Sequence, residues 1–287
     1  MSDTSYAEIV ASARAEQRVL VEVEHHGDRA VVRLRDPDKL NVLSAPLMVQ
    51  LLARTEELAR DREVRSIVLT GEGRAFSAGG DLRMMQNAVE RFGDPADEEG
   101  ATLPWQWIRH QFGALVRLIG RTDKAFIAAL NGPAAGVGLA FALTCDLVVA
   151  AEDAILVPAF GKLGLVPEVG TSWALTRALG YRRAFEYYVG GKQITAEGAL
   201  ELGLVNQVVP ADQLIDTAMG WCDRIAALPP HALPIAKPLL RATADLSWEQ
   251  ALTMEEFAEP MCFTTRGFSE GVEQVVAATS SAGSPRS

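Results

Sequence analysis

Basic charge is scarce in this chain: 27 Lys and Arg stand against 37 Asp and Glu, a formal net charge of −10. That balance argues against nucleic acid as a partner, since phosphate affinity rests mainly on Lys and Arg. A local basic patch could still hold a small phosphorylated ligand. Cysteine is scarce too. The three present (Cys145, Cys222, Cys262) are far apart, odd in number and without CxxC spacing, which excludes a disulfide framework and predicts a reduced, cytoplasmic setting. Residues 1–18 lack the apolar stretch of a signal peptide. The uncharged run 125–145 is long enough to span a bilayer, but Asn131, Pro133, three glycines and many alanines make it buried core instead, and no membrane association is expected. No His, Cys, Asp or Glu cluster has metal-ligand spacing, so no metal is expected. What remains, 48% hydrophobic and 22% charged residues, is an ordinary globular composition.

At 287 residues the chain suits one large domain or a core with an accessory piece. Residues 19–25 (VLVEVEH) and 29–35 (RAVVRLR) alternate and predict a hairpin about His26-Gly27-Asp28. Ser44 is a candidate N-cap, with Pro46 in the first turn of a helix reaching about Asp61. Strands are expected at 65–70, 125–130, 147–151, 154–157 and 205–209, and helices at 105–120, up to Cys145, from Gly170-Thr171-Ser172, and at 181–189. Residues 83–104, polar and rich in charge, predict a mobile insertion. The reading is an α/β fold of β-β-α units: an N-terminal extension at 1–18, a core at 19–210, a helical region at 211–276 broken by Pro229-Pro230, Pro234 and Pro238, and a disordered tail at 277–287.

Two glycine-rich turns follow strands. The first is Arg74-Ala75-Phe76-Ser77-Ala78-Gly79-Gly80-Asp81-Leu82, and the second is Asn131-Gly132-Pro133-Ala134-Ala135-Gly136-Val137-Gly138, which opens a helix. Glycines let backbone approach closely, and open N–H groups at a helix start favour negative charge. Together the turns could aim two donors at one oxygen. Neither fits GxGxxG or a Walker loop.

With these stretches the chain resembles the crotonase superfamily, the enoyl-CoA hydratase/isomerase family, over residues 19–275. The matching segments are LNVLS (40–44), IVLTGEGRAFSAGGDL (67–82), IAALNGPAAGVGLAFALTCDLVVAAEDA (127–154), KLGLVPEVGTSWALTRALG (162–180) and ITAEGALELGLVNQVVP (194–210). The resemblance implies a crotonase-type spiral of β-β-α units, with a C-terminal helical oligomerisation region building a homotrimer or a hexamer. It implies an acyl-CoA thioester substrate and no separate cofactor, coenzyme A being part of the substrate. By motif position, the Gly80 and Val137 amides would form an oxyanion hole. Ala78, Gly79, Asp81 and Leu82 would line the coenzyme A path, and Arg83 would replace a phosphate-contacting lysine. Lys39 lies one residue from the family's usual basic position before Asn41. The aromatic-basic C-terminal segment of many relatives is missing after Gly271.

The reaction turns on acids and bases. Relatives that hydrate use two glutamates, and their positions here hold Ala140 and Phe160. Glu168, four residues after Gly164, occupies the place of the single carboxylate in relatives resembling Δ3,Δ2-enoyl-CoA isomerases. One carboxylate suits a proton shuttle from C2 to C4. The resemblance therefore implies shifting a 3-enoyl thioester to its 2-enoyl isomer. Hydratase or other enolate chemistry, and a non-catalytic acyl-CoA-binding paralogue, are the competing readings. Glu168 could instead simply face the N-terminus of the helix from Thr171. His110 could face the acyl pocket. His25, His26 and His231 look structural or solvated, Asp146 orders a helix-to-strand turn, and Glu152-Asp153 reads as a solvated turn. Trp105, Trp107, Met84 and Met85 could wall the acyl pocket or be ordinary core.

Overall fold

The computed structural model describes residues 5–92 and 102–282. Its main sheet contains β1 (Val21–His26), β2 (Arg29–Leu34), β3 (Ser66–Gly71), β4 (Ala125–Leu130), β6 (Leu147–Ala151) and β9 (Gln207–Val209), in that spatial order. The β1–β2 hairpin is antiparallel, and every later pairing in this sheet is parallel. A small second sheet joins β5 (Ala134–Ala135), β7 (Ile155–Val157) and β8 (Ile194–Thr195).

The strand periodicity of two decides which layer each residue enters. From β4, Phe126, Ala128 and Leu130 join one apolar cluster while Ala125, Ile127 and Ala129 join the other. Every residue of β3 and β4 is buried, as strands covered on both faces must be. On the first face lie α1 (Tyr6–Arg14), α2 (Ala45–Arg60) and, beyond α3 (Leu82–Phe92), the stretch α4 (Thr102–Trp107), a π-helical turn (Ile108–Phe112) and α5 (Gly113–Arg121). The helix α6 (Val137–Thr144) is apolar on nearly all sides and lies inside this layer. Beyond α7 (Thr171–Gly190) and α8 (Ala196–Glu201), the second face is covered by α9 (Leu214–Ala226), through Leu214, Ala218, Cys222 and Ile225. Then come α10 (Ala232–Thr243), α11 (Trp248–Phe263) and α12 (Arg266–Ala282).

The uncharged run 125–145 is thus a buried strand, a turn and a buried helix, and no helix among the described residues is long and apolar enough to cross a membrane. Several expectations need correction. Residues 82–92 form α3 rather than a loop, and 93–101 lie outside the described residues. Ser44 stands at the N-cap with extended backbone, yet its side chain makes no capping bond. Of the segment before 19, α1 packs on the core: it carries a Ser5–Glu8 capping box and buries Ala13. Pro234 and Pro238 lie within α10 without breaking it: Pro234 falls in the first turn, where an N–H has no intrahelical partner, and beside Pro238 the Lys237 side chain is tied to the core by three hydrogen bonds. The tail expected to be disordered from 277 continues α12 to Ala282, and 283–287 lie outside the described residues. The strand expected at 205–209 begins at Gln207, and α7 is interrupted at Gly180, whose φ is 73°.

Candidate active site

Parallel neighbours β3 and β4 deliver their C-terminal turns side by side, the usual place for a site in such a sheet. The turns are stitched together: the Phe76 and Ser77 amides both donate to the Pro133 carbonyl at 3.1 Å, and the Ala135 amide donates to the Ser77 carbonyl at 2.9 Å. Contact is closest at glycines. A Cβ on Gly79 would fall 2.6 Å from the Ala135 oxygen, and one on Gly138 would fall 2.7 Å from Ser77 Cβ. Gly79 also takes φ +89°, which only glycine adopts freely, and turns the chain into Gly80. Gly136, at φ 50° and ψ −120°, does the same before Val137, the first residue of α6. Among the described residues, neither the Gly80 nor the Val137 N–H has an acceptor within the fold. For Val137 this follows from helix geometry, since first-turn amides have no intrahelical partner. The structure thus brings the two motifs into contact and leaves both amides open. Unpartnered donors in a half-buried place suit an oxygen that gains negative charge during reaction.

Glu168 stands in the link before α7, three residues ahead of its first residue. The link is bent by backbone in the left-handed region at Val169 (φ 45°) and Gly170 (φ 90°), and a non-glycine residue there is a strained conformation. The carboxyl is half-buried, and its Oε2 is shielded from solvent without a hydrogen-bond partner. Burial pushes its pKa above the ordinary carboxylate value of 4.5. An acid capping α7 would behave oppositely, gaining N–H bonds and a lowered pKa. The amide of Thr171 bonds instead to the Glu168 main-chain oxygen, at 2.9 Å. The helices that begin at Val137 and Thr171 pack on one another, and a Cβ on Gly170 would lie 3.8 Å from Val116 of α5. Ala140 and Phe160, the two positions that the sequence reading set against the glutamates of hydrating relatives, are both buried and apolar.

Of the remaining candidates, Ala78 is exposed, with its amide bonded to the Leu40 oxygen. Asp81 accepts a bond from the Arg83 amide at 2.9 Å and so starts α3. Leu82, Arg83 and Lys39 are exposed. His110 is also exposed, set against Tyr6 and Trp105 on the outer surface, and contributes no buried group. Trp107 is core, whereas Trp105 is largely solvated. Met84 packs on the core, and a Cβ on Gly80 would lie 2.7 Å from Met85 Cε. His25, His26, Glu152 and Asp153 are solvated, while His231 shares a hydrogen bond with Thr265. Asp146 orders its turn through the Phe126 amide, and also holds Lys237 and Arg241 of α10. Among the described residues no group of His, Cys, Asp or Glu is arranged to hold a metal. Two surface grooves of about 410 and 490 Å³ flank β1 and α2, and neither is lined by Gly80, Val137 or Glu168.

The residues that frame the turns carry no signal as ligands in the sequence. The side chains of Asn41, Ser77 and Asn131 bond to main-chain atoms, most of them far away in the sequence. Their place within LNVLS, FSAGGD and LNGPAAG was the only available hint.

Comparison with known proteins extends this geometry. Residues 26–276 match the family model described as enoyl-CoA hydratase/isomerase. The chain is 33% identical over 254 residues to the 1,2-epoxyphenylacetyl-CoA isomerase of Escherichia coli, covering 88% of this chain and 94% of that one. It is 35% identical to a putative enoyl-CoA hydratase of Thermus thermophilus, covering 88% and 96%. Among solved structures, an enoyl-CoA hydratase subunit from Geobacillus kaustophilus superposes with a TM-score of 0.80 at 31% identity, covering 95% of this chain and 99% of that one.

Proposed function

Because the chain belongs to the enoyl-CoA hydratase/isomerase family, whose substrates are acyl-CoA thioesters, we propose that it is an isomerase that moves the double bond of a 3-enoyl-CoA to the 2-position. Glu168 carries this reading: it offers one carboxylate, half-buried and unpartnered, with its proton affinity raised by burial. In the proposed mechanism its carboxylate removes a proton from C2. The electrons pass to the thioester oxygen, giving a dienolate that the Gly80 and Val137 amides hold. The carboxylic acid then returns the proton at C4, leaving the double bond between C2 and C3. Only a proton moves, so no cofactor is consumed. Such preorganised donors are each worth about 2.7–4 kcal/mol of barrier, and a pKa raised by burial makes the carboxylate a stronger base than an ordinary one.

Hydration would need a group to hold and activate water, and Ala140 and Phe160 supply none. Coenzyme A would enter along Ala78–Leu82, with Arg83 and Lys39 as phosphate contacts. A homotrimer or hexamer in the cytoplasm completes the proposal. It is supported by α11, which buries no residue of its own yet exposes 76% of Phe257, and by α12, which exposes 64% of Val275.

The test is a paired assay of purified protein, measuring conversion of a 3-enoyl-CoA to its 2-enoyl isomer and hydration of crotonyl-CoA, for wild type and Glu168→Gln. Isomerisation is expected to fall by about 10²-fold or more in the variant, since a general acid–base contributes about 10²–10⁴-fold, while hydration stays negligible throughout. Efficient hydration that survives Glu168→Gln would overturn the assignment. Binding of acyl-CoA esters without either reaction would favour the non-catalytic reading.

A further inference from the structure

The geometry points to Ser77 as the positioning residue that fixes the spacing of the two oxyanion donors, held in a frame by Asn41 and Asn131. This rests on the reading of Gly80 and Val137 as those donors. Ser77 is fully buried and lies between the two turns. Its hydroxyl donates to the Asn41 main-chain oxygen at 2.8 Å and accepts the Gly79 amide at 3.1 Å, one residue before Gly80. Its Cβ and Oγ stand 2.7 and 2.9 Å from where Gly138 would place a Cβ, one residue after Val137. One side chain therefore touches the neighbours of both open amides.

The frame outside Ser77 is equally specific. Asn41, fully buried and in the left-handed region at φ 51°, accepts the Asp36 amide and donates from Nδ2 to the Glu72 and Ala75 oxygens at 3.0 and 2.8 Å. Asn131 accepts the Gly71 amide and donates from its own Nδ2 to the Gly73 and Ala75 oxygens at 2.9 and 3.1 Å. Two asparagines from different loops thus clamp the Ala75 carbonyl, two residues before Ser77. Backbone turns held this way resist displacement, and a donor that shifts by a fraction of an ångström loses its advantage in the transition state.

The experiment measures the carbonyl stretch of a saturated acyl-CoA, ¹³C-labelled at the thioester carbon, bound to wild type and to Ser77→Ala, beside isomerase kinetics and thermal unfolding. A saturated ester binds but cannot react, so the frequency reports the oxyanion donors without Glu168. In wild type the stretch should move to lower frequency on binding. Ser77→Ala should show a smaller shift and a kcat about 10–100-fold lower, with KM within about threefold. A merely structural role would lower the unfolding temperature and leave the bound frequency unchanged. A wild-type frequency in Ser77→Ala overturns the inference, whatever the rate. If Ser77→Ala does not fold, Asn131→Asp replaces it, keeping the acceptor for Gly71 while turning the bonds to Gly73 and Ala75 repulsive. It is judged by the same frequency. No shift in wild type would overturn the oxyanion reading itself, and Glu168→Gln that still isomerises would overturn only the acid–base assignment.

Discussion

Removing the ammonium of Lys237 should loosen the C-terminal helices from the core, and the structure sets the size of the effect. The side chain is 4% exposed. Its Nζ donates to the Ile119 oxygen (2.8 Å), the Lys124 oxygen (2.6 Å) and Asp146 Oδ2 (2.8 Å). One group on α10 thereby satisfies a carbonyl in α5, a carbonyl at the start of β4 and the turn between α6 and β6. Burial, helped by nearby Arg241, lowers its pKa despite Asp146, so the charge itself is held at a cost. The stabilisation lies in the acceptors it satisfies. Lys237→Met keeps most of the stem's volume and deletes all three donors. Each buried acceptor left alone costs about 1–3 kcal/mol. Asp146 retains Arg241 and the Phe126 amide, and relief of the buried ammonium returns part of the loss. The expected loss is about 3 kcal/mol, the low end for a broken buried pair. Urea unfolding at a fixed protomer concentration, followed by far-ultraviolet circular dichroism, measures it from the midpoint and slope. A loss below about 1 kcal/mol would refute the claim that these carbonyls depend on Lys237.

Because burial raises the pKa of Glu168, kcat/KM for isomerisation should fall on the acid side with an apparent pKa above 4.5, and a limb at or below that value would count against Glu168 as the base. The same shift has a sign for stability. The folded state holds this proton more tightly than the unfolded chain, so the stabilisation is present below 4.5 and is lost as the pH rises through the folded pKa. Glu168→Gln should therefore melt higher than wild type at pH 7, and the gain should vanish in acid; equal melting at both pH values would argue against the buried carboxylate. Gly138→Ala should lower kcat by at least about 10-fold, despite the better helix propensity of alanine, because its Cβ would meet Ser77. A more stable variant with wild-type kcat would contradict that. Cys145, buried with its thiol pushed up to about 12, should resist alkylation at pH 8 in the native protein, which peptide mapping after iodoacetamide would read out.

The parts of the fold that were legible are those where burial alone dictates composition. AFIAAL and LVVAA are covered on both faces, so the apolar run and the strand coincide residue for residue. The glycine turns were legible because close backbone approach excludes a Cβ, and Gly79 and Gly138 meet that condition. What failed has more than one cause. Leu82–Phe92 carries its own helical spacing in Leu82, Met84, Met85, Ala88, Val89 and Phe92, hidden by reading it together with the polar residues that follow, and the small polar residues ending α12 resemble a frayed tail. Pro238 signals a break, but the bonds of Lys237 to residues over a hundred positions away hold the helix on the core. The frame around Ser77 was illegible for the same reason. Asn41 and Asn131 act on main-chain oxygens, and a carbonyl has no residue type by which a sequence could announce the pairing.

The apolar character of the region joins two properties that are often treated separately. A carboxylate surrounded by water has an ordinary pKa and competes with bulk solvent for protons. Withdrawn from water at Glu168, it becomes a stronger base, and its conjugate acid survives long enough to return the proton. Where a bound substrate excluded solvent, the attraction between the open amides and an enolate oxygen would strengthen as well. Hydration needs the reverse, a fixed water and groups to polarise it. At Ala140 and Phe160 the chain offers only buried apolar side chains. Under the proposed isomerase reading, two apolar side chains at these positions would leave proton transfer to the one carboxylate, Glu168. On that reading, burial around Glu168 would matter to the reaction as much as the identity of the base.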